Sequence, residues 1–166
     1  MNYFVELCRA MQMLSAHRKA VFIGQGVAPH GGTSMSQTFQ HVPERKRLEF
    51  PVAEDLQMGT AIGMALGGYL PICIFPRWNF VICGLNQLVN HLDRLPIYSA
   101  GGYRPKVIIR VAVPSTKPFN PQSQHDDDFT EAIDMMLRTV NVVTLPREEG
   151  IMPSYQRAMD DEGSTL

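Results

Sequence analysis

A chain of 166 residues with 45% hydrophobic and 19% charged side chains has the composition of one globular domain with a full core, and is too short for two catalytic domains. Its formal net charge of −1 supplies neither the basic patch of a nucleic-acid binder nor the polybasic segment of an anionic-membrane binder. No apolar run reaches spanning length, and the N-terminus MNYFVELCRAM carries an acid within its apolar pattern, unlike a secretion signal. Cys8, Cys73 and Cys83 fall in segments expected to be buried and have no metal-ligand spacing, so they read as reduced thiols of a cytoplasmic protein without a metal site of its own.

In chain order, Asn2 to Ser15 repeats Phe4, Val5, Cys8, Met11 and Leu14 on one side and predicts an amphipathic helix packed on a sheet. Val21-Phe22-Ile23-Gly24 predicts a short strand, followed by the loop GQGVAPHGGTS. Gly24-Gln25-Gly26 supplies two glycines of a dinucleotide phosphate loop, but the third is missing and His30-Gly31-Gly32 arrives late, so a flavodoxin-like nucleotide module is the weakest reading. His30 and His41 read as exposed loop histidines, of which His30 is the one able to face a cleft. Phe50-Pro51-Val52 reads as the end of a short buried strand, which sets Glu54 at a strand-to-helix junction, where α/β folds place ligand-facing side chains.

Leu56 to Leu66 has helical spacing. Each glycine inside a helix costs up to about 1 kcal/mol against alanine, so the row Gly59, Gly63, Gly67 predicts a smooth face for another backbone or a flat cofactor. Leu70 to Phe75 (LPICIF) predicts the next strand, and the cluster Phe75, Trp78 and Phe80 follows. Asn79 to Leu95 predicts a long helix with Val81, Ile82, Leu85, Leu88, Val89 and Leu92 inward. After the break at Gly101-Gly102, Val107 to Val113 is the most strand-like run present, apolar enough for a central place in a parallel sheet. Asp126-Asp127-Asp128 precedes a helix from Phe129 to Leu137 and suits its positive end. Asn141 to Leu145 is the last expected strand; an amphipathic stretch from Met152 to Met159 and a disordered polar tail, DDEGSTL, complete the chain. The alternation predicts a three-layer α/β/α domain with a mostly parallel sheet over residues 1–150, with 151–166 as a short amphipathic segment and tail.

The run PVAEDLQMGTAIGMALGGYLPI carries Glu54, Gly59, Ala61-Ile62-Gly63, Ala65, Gly67 and Pro71. It resembles the segment bearing the cofactor-activating glutamate in the transketolase-like thiamine diphosphate enzymes, especially the beta subunits of 2-oxoacid dehydrogenases. LNQLVNHLDRLPIYSAGG with PKVIIR resembles the same family's helix, glycine turn and strand, and His125 with Phe129 and VNVVTLP resembles its later histidine segment. The resemblance spans roughly Val21 to Pro146. It implies the pyrimidine-binding (Pyr) module of the thiamine diphosphate fold, with Glu54 hydrogen-bonded to the far pyrimidine ring nitrogen. It further implies Phe75 as the aromatic contact to that ring, Phe80 and Gly26 among the cofactor-binding residues, and His125 as a proton-transfer group near the substrate. The bland alternatives are a helix N-terminal carboxylate at Glu54 and core or interface rings at Trp78 and Phe80.

Three departures shape the expected function. Where the dehydrogenase subunits turn through glycines after the arginine of this strand, VAVPSTKPFNPQSQ has three prolines and no glycine. The family also holds the cofactor's diphosphate through a divalent metal bound by a GDG motif and a later asparagine, and no GDG occurs. The chain ends soon after its last expected strand, without the family's further C-terminal domain. The resemblance therefore implies the small subunit of a split enzyme acting on a carbon–carbon bond next to a carbonyl, by 2-oxo acid decarboxylation or by ketol or acyl transfer. A partner (PP) subunit with the GDG motif would hold Mg2+ and the diphosphate in a hetero-oligomer such as a heterotetramer, with a 2-oxo acid or keto sugar as substrate. The alternative is a non-catalytic assembly or binding subunit that keeps the fold.

Overall fold

The computed structural model describes residues 2–28, 35–113 and 122–166. The expectations for His30 and for the proline-rich segment 114–121 lie outside the described residues.

Helix α1, Tyr3–Ala16, begins where Asn2 Oδ1 accepts from the N–H groups of Phe4 and Val5 at 2.9 and 3.4 Å, the usual side-chain cap for orphan donors. Strands β1 (Ala20–Gly24), β2 (Arg47–Glu49), β3 (Leu70–Phe75) and β4 (Ile108–Val111) form one sheet in the order β2-β1-β3-β4. Every pairing is parallel, with Gly24 opposite both Glu49 and Ile74, and Ile72 opposite both Phe22 and Ile108. Strand β3 is buried along its whole length, and its side chains alternate between two cores as the two-residue period of a strand requires. Ile72 and Ile74 join Met11, Leu14 and Tyr155 on one face, whereas Cys73 and Phe75 join Met58, Val81 and Leu88 on the other. Helix α2 (Glu54–Leu66) and helix α3 (Trp78–Cys83) contribute to the second of these cores. The expected three-layer α/β/α architecture is borne out.

Several boundaries differ from those read in the sequence. The strand before Glu54 is Arg47–Glu49, at the sheet edge, and Phe50-Pro51-Val52 lies beyond it with Val52 79% exposed. An edge strand needs no apolar run, which is why a polar triplet fills the place. The long helix expected from Asn79 to Leu95 breaks after Cys83 at Gly84, continues as a π-helical segment, Gln87–Leu92, and ends in helix α4, Leu95–Tyr98. Val81, Leu88 and Leu92 point inward as expected, but Ile82 and Cys83 are exposed. The expected helix at Phe129–Leu137 contracts to α5, Thr130–Asp134, with Asp128 Oδ1 accepting from the Thr130 N–H at 2.9 Å.

The largest correction concerns the C-terminus. Helix α6, Ile151–Asp160, sets Ile151, Tyr155 and Ala158 in the same core as Ala10, Met11 and Leu14 of α1. The expected disordered tail is ordered: Ser164, Thr165 and Leu166 are buried and lie between β4 and Asn141. Thr165 N–H donates to Val107 O at 3.0 Å, Ile109 N–H to Thr165 O at 2.7 Å, and Asn141 N–H to Ser164 O at 3.0 Å. The expected strand Asn141–Leu145 is reduced to this one bridge at Asn141. Buried backbone groups along β4 require partners, and the tail supplies them whatever its side-chain polarity.

Candidate functional site

The candidate residues gather at the carboxyl ends of β1 and β3. Gly24 ends β1 so close to β3 that a Cβ there would stand 2.6 Å from Ile74 O. Gly26 then turns the chain with φ +69°, a conformation natural to glycine. Glu49, the last residue of β2, braces this turn with both carboxylate oxygens: Oε1 accepts from Gly26 N–H at 2.6 Å and Oε2 from Ala28 N–H at 2.8 Å. Gly26 is thus held by Glu49, which sequence reading passed over.

Glu54 is the first residue of α2, as expected, and is buried. Ala53 gives that helix no side-chain cap, so Glu54 and Asp55 in the first turn supply the negative charge its amino end favours. The Glu54 carboxyl is nevertheless not a solvated end group. Among the described residues its hydrogen-bond donor is the side-chain amide of Gln25, Nε2 to Oε1 at 3.0 Å. Behind it, Gly84 lies against the start of α2, and a Cβ at that position would be 3.1 Å from Glu54 O. The missing side chain of Gly84 is therefore what lets the end of α3 approach the first residue of α2.

A second cluster lies where the aromatic run meets the segment before α5. The rings of Phe80 and His125 are 5.1 Å apart between centroids and inclined at 33°, and Asn79 Nδ2 donates to Asp127 Oδ2 at 3.0 Å. His125 is half-buried, and its Nδ1 is buried without a hydrogen-bond partner among the described residues. Such an orphaned ring nitrogen has a place for one more polar group. Phe75, expected to contact a cofactor ring, is 1% exposed and packed in the core with Met58 and Val81. Trp78 is also in that core, with Nε1 buried and unpartnered among the described residues.

The structure thus joins Gly26, Gln25, Glu49 and Glu54 in one group and Phe80, His125, Asn79 and Asp127 in another. Among the described residues no hydrogen bond or ion pair links Glu54 to His125. A cavity of about 460 Å³ lies elsewhere, between β4, residues 142–146 and α6, and shares none of the five candidate residues. Arg110 lines it, donating to Thr38 Oγ1 at 2.7 Å with its guanidinium over the Phe39 ring; burial pulls its pKa below the ordinary value, against the opposing influence of Tyr155 and Tyr3. Among the described residues no group of three His, Cys, Asp or Glu side chains is placed to hold a metal ion, and no helix is long and apolar enough to cross a membrane. The glycine row is partly open: a Cβ at Gly59 would meet the Gln87 side chain at 3.5 Å, and one at Gly63 would meet nothing within 4 Å.

The fold has a solved counterpart. It matches a solved split-gene transketolase, an inactive beta4 tetramer, with a TM-score of 0.72 over 97% of this chain and 48% of that one, at 14% identity. The chain therefore shares the fold of that transketolase. In sequence the chain is similar to pyruvate dehydrogenase E1 component beta subunits: 29% identical over 114 residues to that of Cyanidium caldarium, covering 66% of this chain and 35% of the relative. It is 31% identical over 102 residues to that of Leifsonia xyli, covering 60% and 30%. The chain spans about a third of the length of these relatives, and no family model matches it. Homology to E1 beta subunits together with a transketolase fold bears out the resemblance to the pyrimidine-binding module of the transketolase-like thiamine diphosphate enzymes.

Proposed function

We propose that this chain is the pyrimidine-binding subunit of a split thiamine diphosphate enzyme, with Glu54 as the acid that contacts the cofactor's pyrimidine ring. The observation that carries the reading is a buried carboxyl at the start of α2 whose donor among the described residues is one neutral amide. Such a group keeps acceptor capacity and can exchange a proton with a ring nitrogen. When bound, thiamine diphosphate supplies the nucleophilic thiazolium carbon and the electron sink for cleaving or forming a bond next to a carbonyl. Glu54 holds and returns a proton at the pyrimidine nitrogen. Phe80, rather than the enclosed Phe75, offers its ring for stacking, and the orphaned Nδ1 of His125 is the group for proton transfer to substrate.

The diphosphate and its Mg2+ fall to a partner subunit bearing a GDG motif, because no GDG occurs in this chain. The open face around Gly63, with Leu56 of the same helix 58% exposed, is the surface offered to it. That the solved transketolase is inactive as a tetramer of beta subunits alone fits a subunit that works only in a hetero-oligomer. The substrate class is a 2-oxo acid or keto sugar.

The test is hydrogen–deuterium exchange at the thiazolium carbon in the reconstituted pair. Exchange and turnover are expected to fall roughly a hundredfold or more in Glu54→Gln, while cofactor affinity changes modestly. Equal exchange rates with cofactor bound in both proteins overturn the catalytic role and leave the assembly-subunit reading in its place.

A further inference from the structure

The motif Gly24-Gln25-Gly26 has no nucleotide to bind in this reading, yet both glycines have structural reasons. Gly24 leaves room for Ile74 O, and Gly26 takes the left-handed turn that Glu49 clamps. What remains unexplained is the side chain between them. We propose that Gln25 is a positioning residue for Glu54, an inference that rests on Glu54 being the cofactor-contacting acid.

The contact spans 29 residues of chain, so it is a product of the fold and not of local geometry. The backbone on both sides of Gln25 is restrained. Gly24 is in register with Glu49 and Ile74 within the sheet, Phe50 N–H donates to Gly24 O at 2.9 Å, and the next two N–H groups bound by Glu49 are those of Gly26 and Ala28. A short amide side chain on so fixed a base sets the rotation of the carboxyl it meets. With Oε1 engaged by Gln25, Oε2 is the oxygen left to face an incoming ring nitrogen.

The chemical type matters as much as the position. An amide donates through its NH2 to a carboxylate and, turned over, accepts through its carbonyl from a carboxylic acid. Gln25 therefore partners Glu54 in both protonation states. A lysine or arginine there would favour the ionised form alone, and a second carboxylate would compete for the same proton. An amide orients a proton-exchanging acid without fixing its charge.

The experiment has two arms. In the full chain without cofactor, the side-chain amide resonances of Gln25 in a 1H–15N spectrum are expected to shift in Glu54→Ala and to stay in place in Asp55→Ala. In the pair reconstituted with partner subunit and thiamine diphosphate, Gln25→Met is expected to lower kcat roughly tenfold with the cofactor KM changed less than about twofold. Added to Glu54→Gln, it is expected to lower kcat no further, because the two residues act as one unit. Gln25 amide resonances indifferent to Glu54→Ala, or losses that multiply in the double variant, overturn the positioning role. Full turnover in Glu54→Gln overturns the cofactor reading by itself, and the amide spectrum alone then decides whether Gln25 holds Glu54.

Discussion

Glu54 and Asp93 are both buried carboxylates, and the structure treats them in opposite ways. Asp93, just after the π-helical segment, is tied to the main chain through one oxygen: its Oδ1 accepts from three successive backbone N–H groups, Arg138 at 2.8 Å, Thr139 at 2.7 Å and Val140 at 3.1 Å. Its Oδ2, buried and without a hydrogen bond among the described residues, lies 3.4 Å from Arg94 Nη1, and Thr139 Oγ1 donates to the main-chain oxygen of Asp93. Burial is the largest single influence on Asp93 and pushes its pKa up. The N–H donors of Thr139, Arg138 and Val140, with the charge of Arg94, together outweigh burial and hold it below the usual carboxylate range. Glu54 has one neutral side-chain donor among the described residues. The contrast separates a carboxylate anchored by the main chain from one met by a single side-chain amide, and neither burial nor residue type alone makes the distinction.

The difference can be broken first at Asp93. Asp93→Ala leaves three backbone donors without their acceptor and is expected to destabilise the chain by about 3 kcal/mol, with faster amide exchange at Arg138, Thr139 and Val140. Glu54→Gln is expected to change stability by less than about 1 kcal/mol in the same denaturant titration. A Glu54→Gln loss as large as that of Asp93→Ala erases the distinction.

The ordered tail gives the next largest effect. Thr165→Pro removes the N–H that donates to Val107 O and is expected to cost about 2 kcal/mol, read as a lowered thermal midpoint. An unchanged midpoint means the tail does not seal β4.

Acid titration sharpens the comparison further. Because Asp93 ionises more readily folded than unfolded, its stabilising contribution is complete above about pH 4, the unfolded value, and is lost as the pH falls through the lower folded value. Asp93→Asn is expected to flatten this part of the stability profile, and a profile of unchanged slope places the acid sensitivity elsewhere.

The smallest effect is chemical. Burial pushes the Cys73 thiol up to about 12, and Gln57 Nε2 rests 3.3 Å from its sulfur, whereas Cys83 is exposed. Iodoacetamide under native conditions is expected to modify Cys83 first and leave Cys73 untouched until unfolding. Early labelling of Cys73 is the contrary result.

Much of this molecule is readable from its residues. The apolar alternation of LPICIF, the one-sided stripe of α1 and the start of α2 at Glu54 need only periodicity and end effects, which are local. The candidate site was legible in part for the same reason, since Glu54 and Phe80 stand in a contiguous block. Gln25 and Glu49 were not, because nothing local marks a glutamine as a carboxylate's partner 29 residues away or a glutamate as the clamp of another strand's turn. Cys83 was assigned to the core from a regular helical period that Gly84 interrupts. The contiguous block likewise cannot show that the place of Phe75 on β3 packs its ring in the core with Met58 and Val81.

By itself the sequence determined the layer architecture, the position of Glu54 at a helix start and the family it resembles, because hydrophobic period and motif spacing are carried by neighbouring residues. Only the tertiary structure decided which acids the main chain anchors, that the GQG glycines serve strand packing and a clamped turn, and that the polar tail is core. The physical reason is that hydrogen-bond satisfaction is settled across the fold: a buried donor takes whatever acceptor the packing delivers, from any distance along the chain.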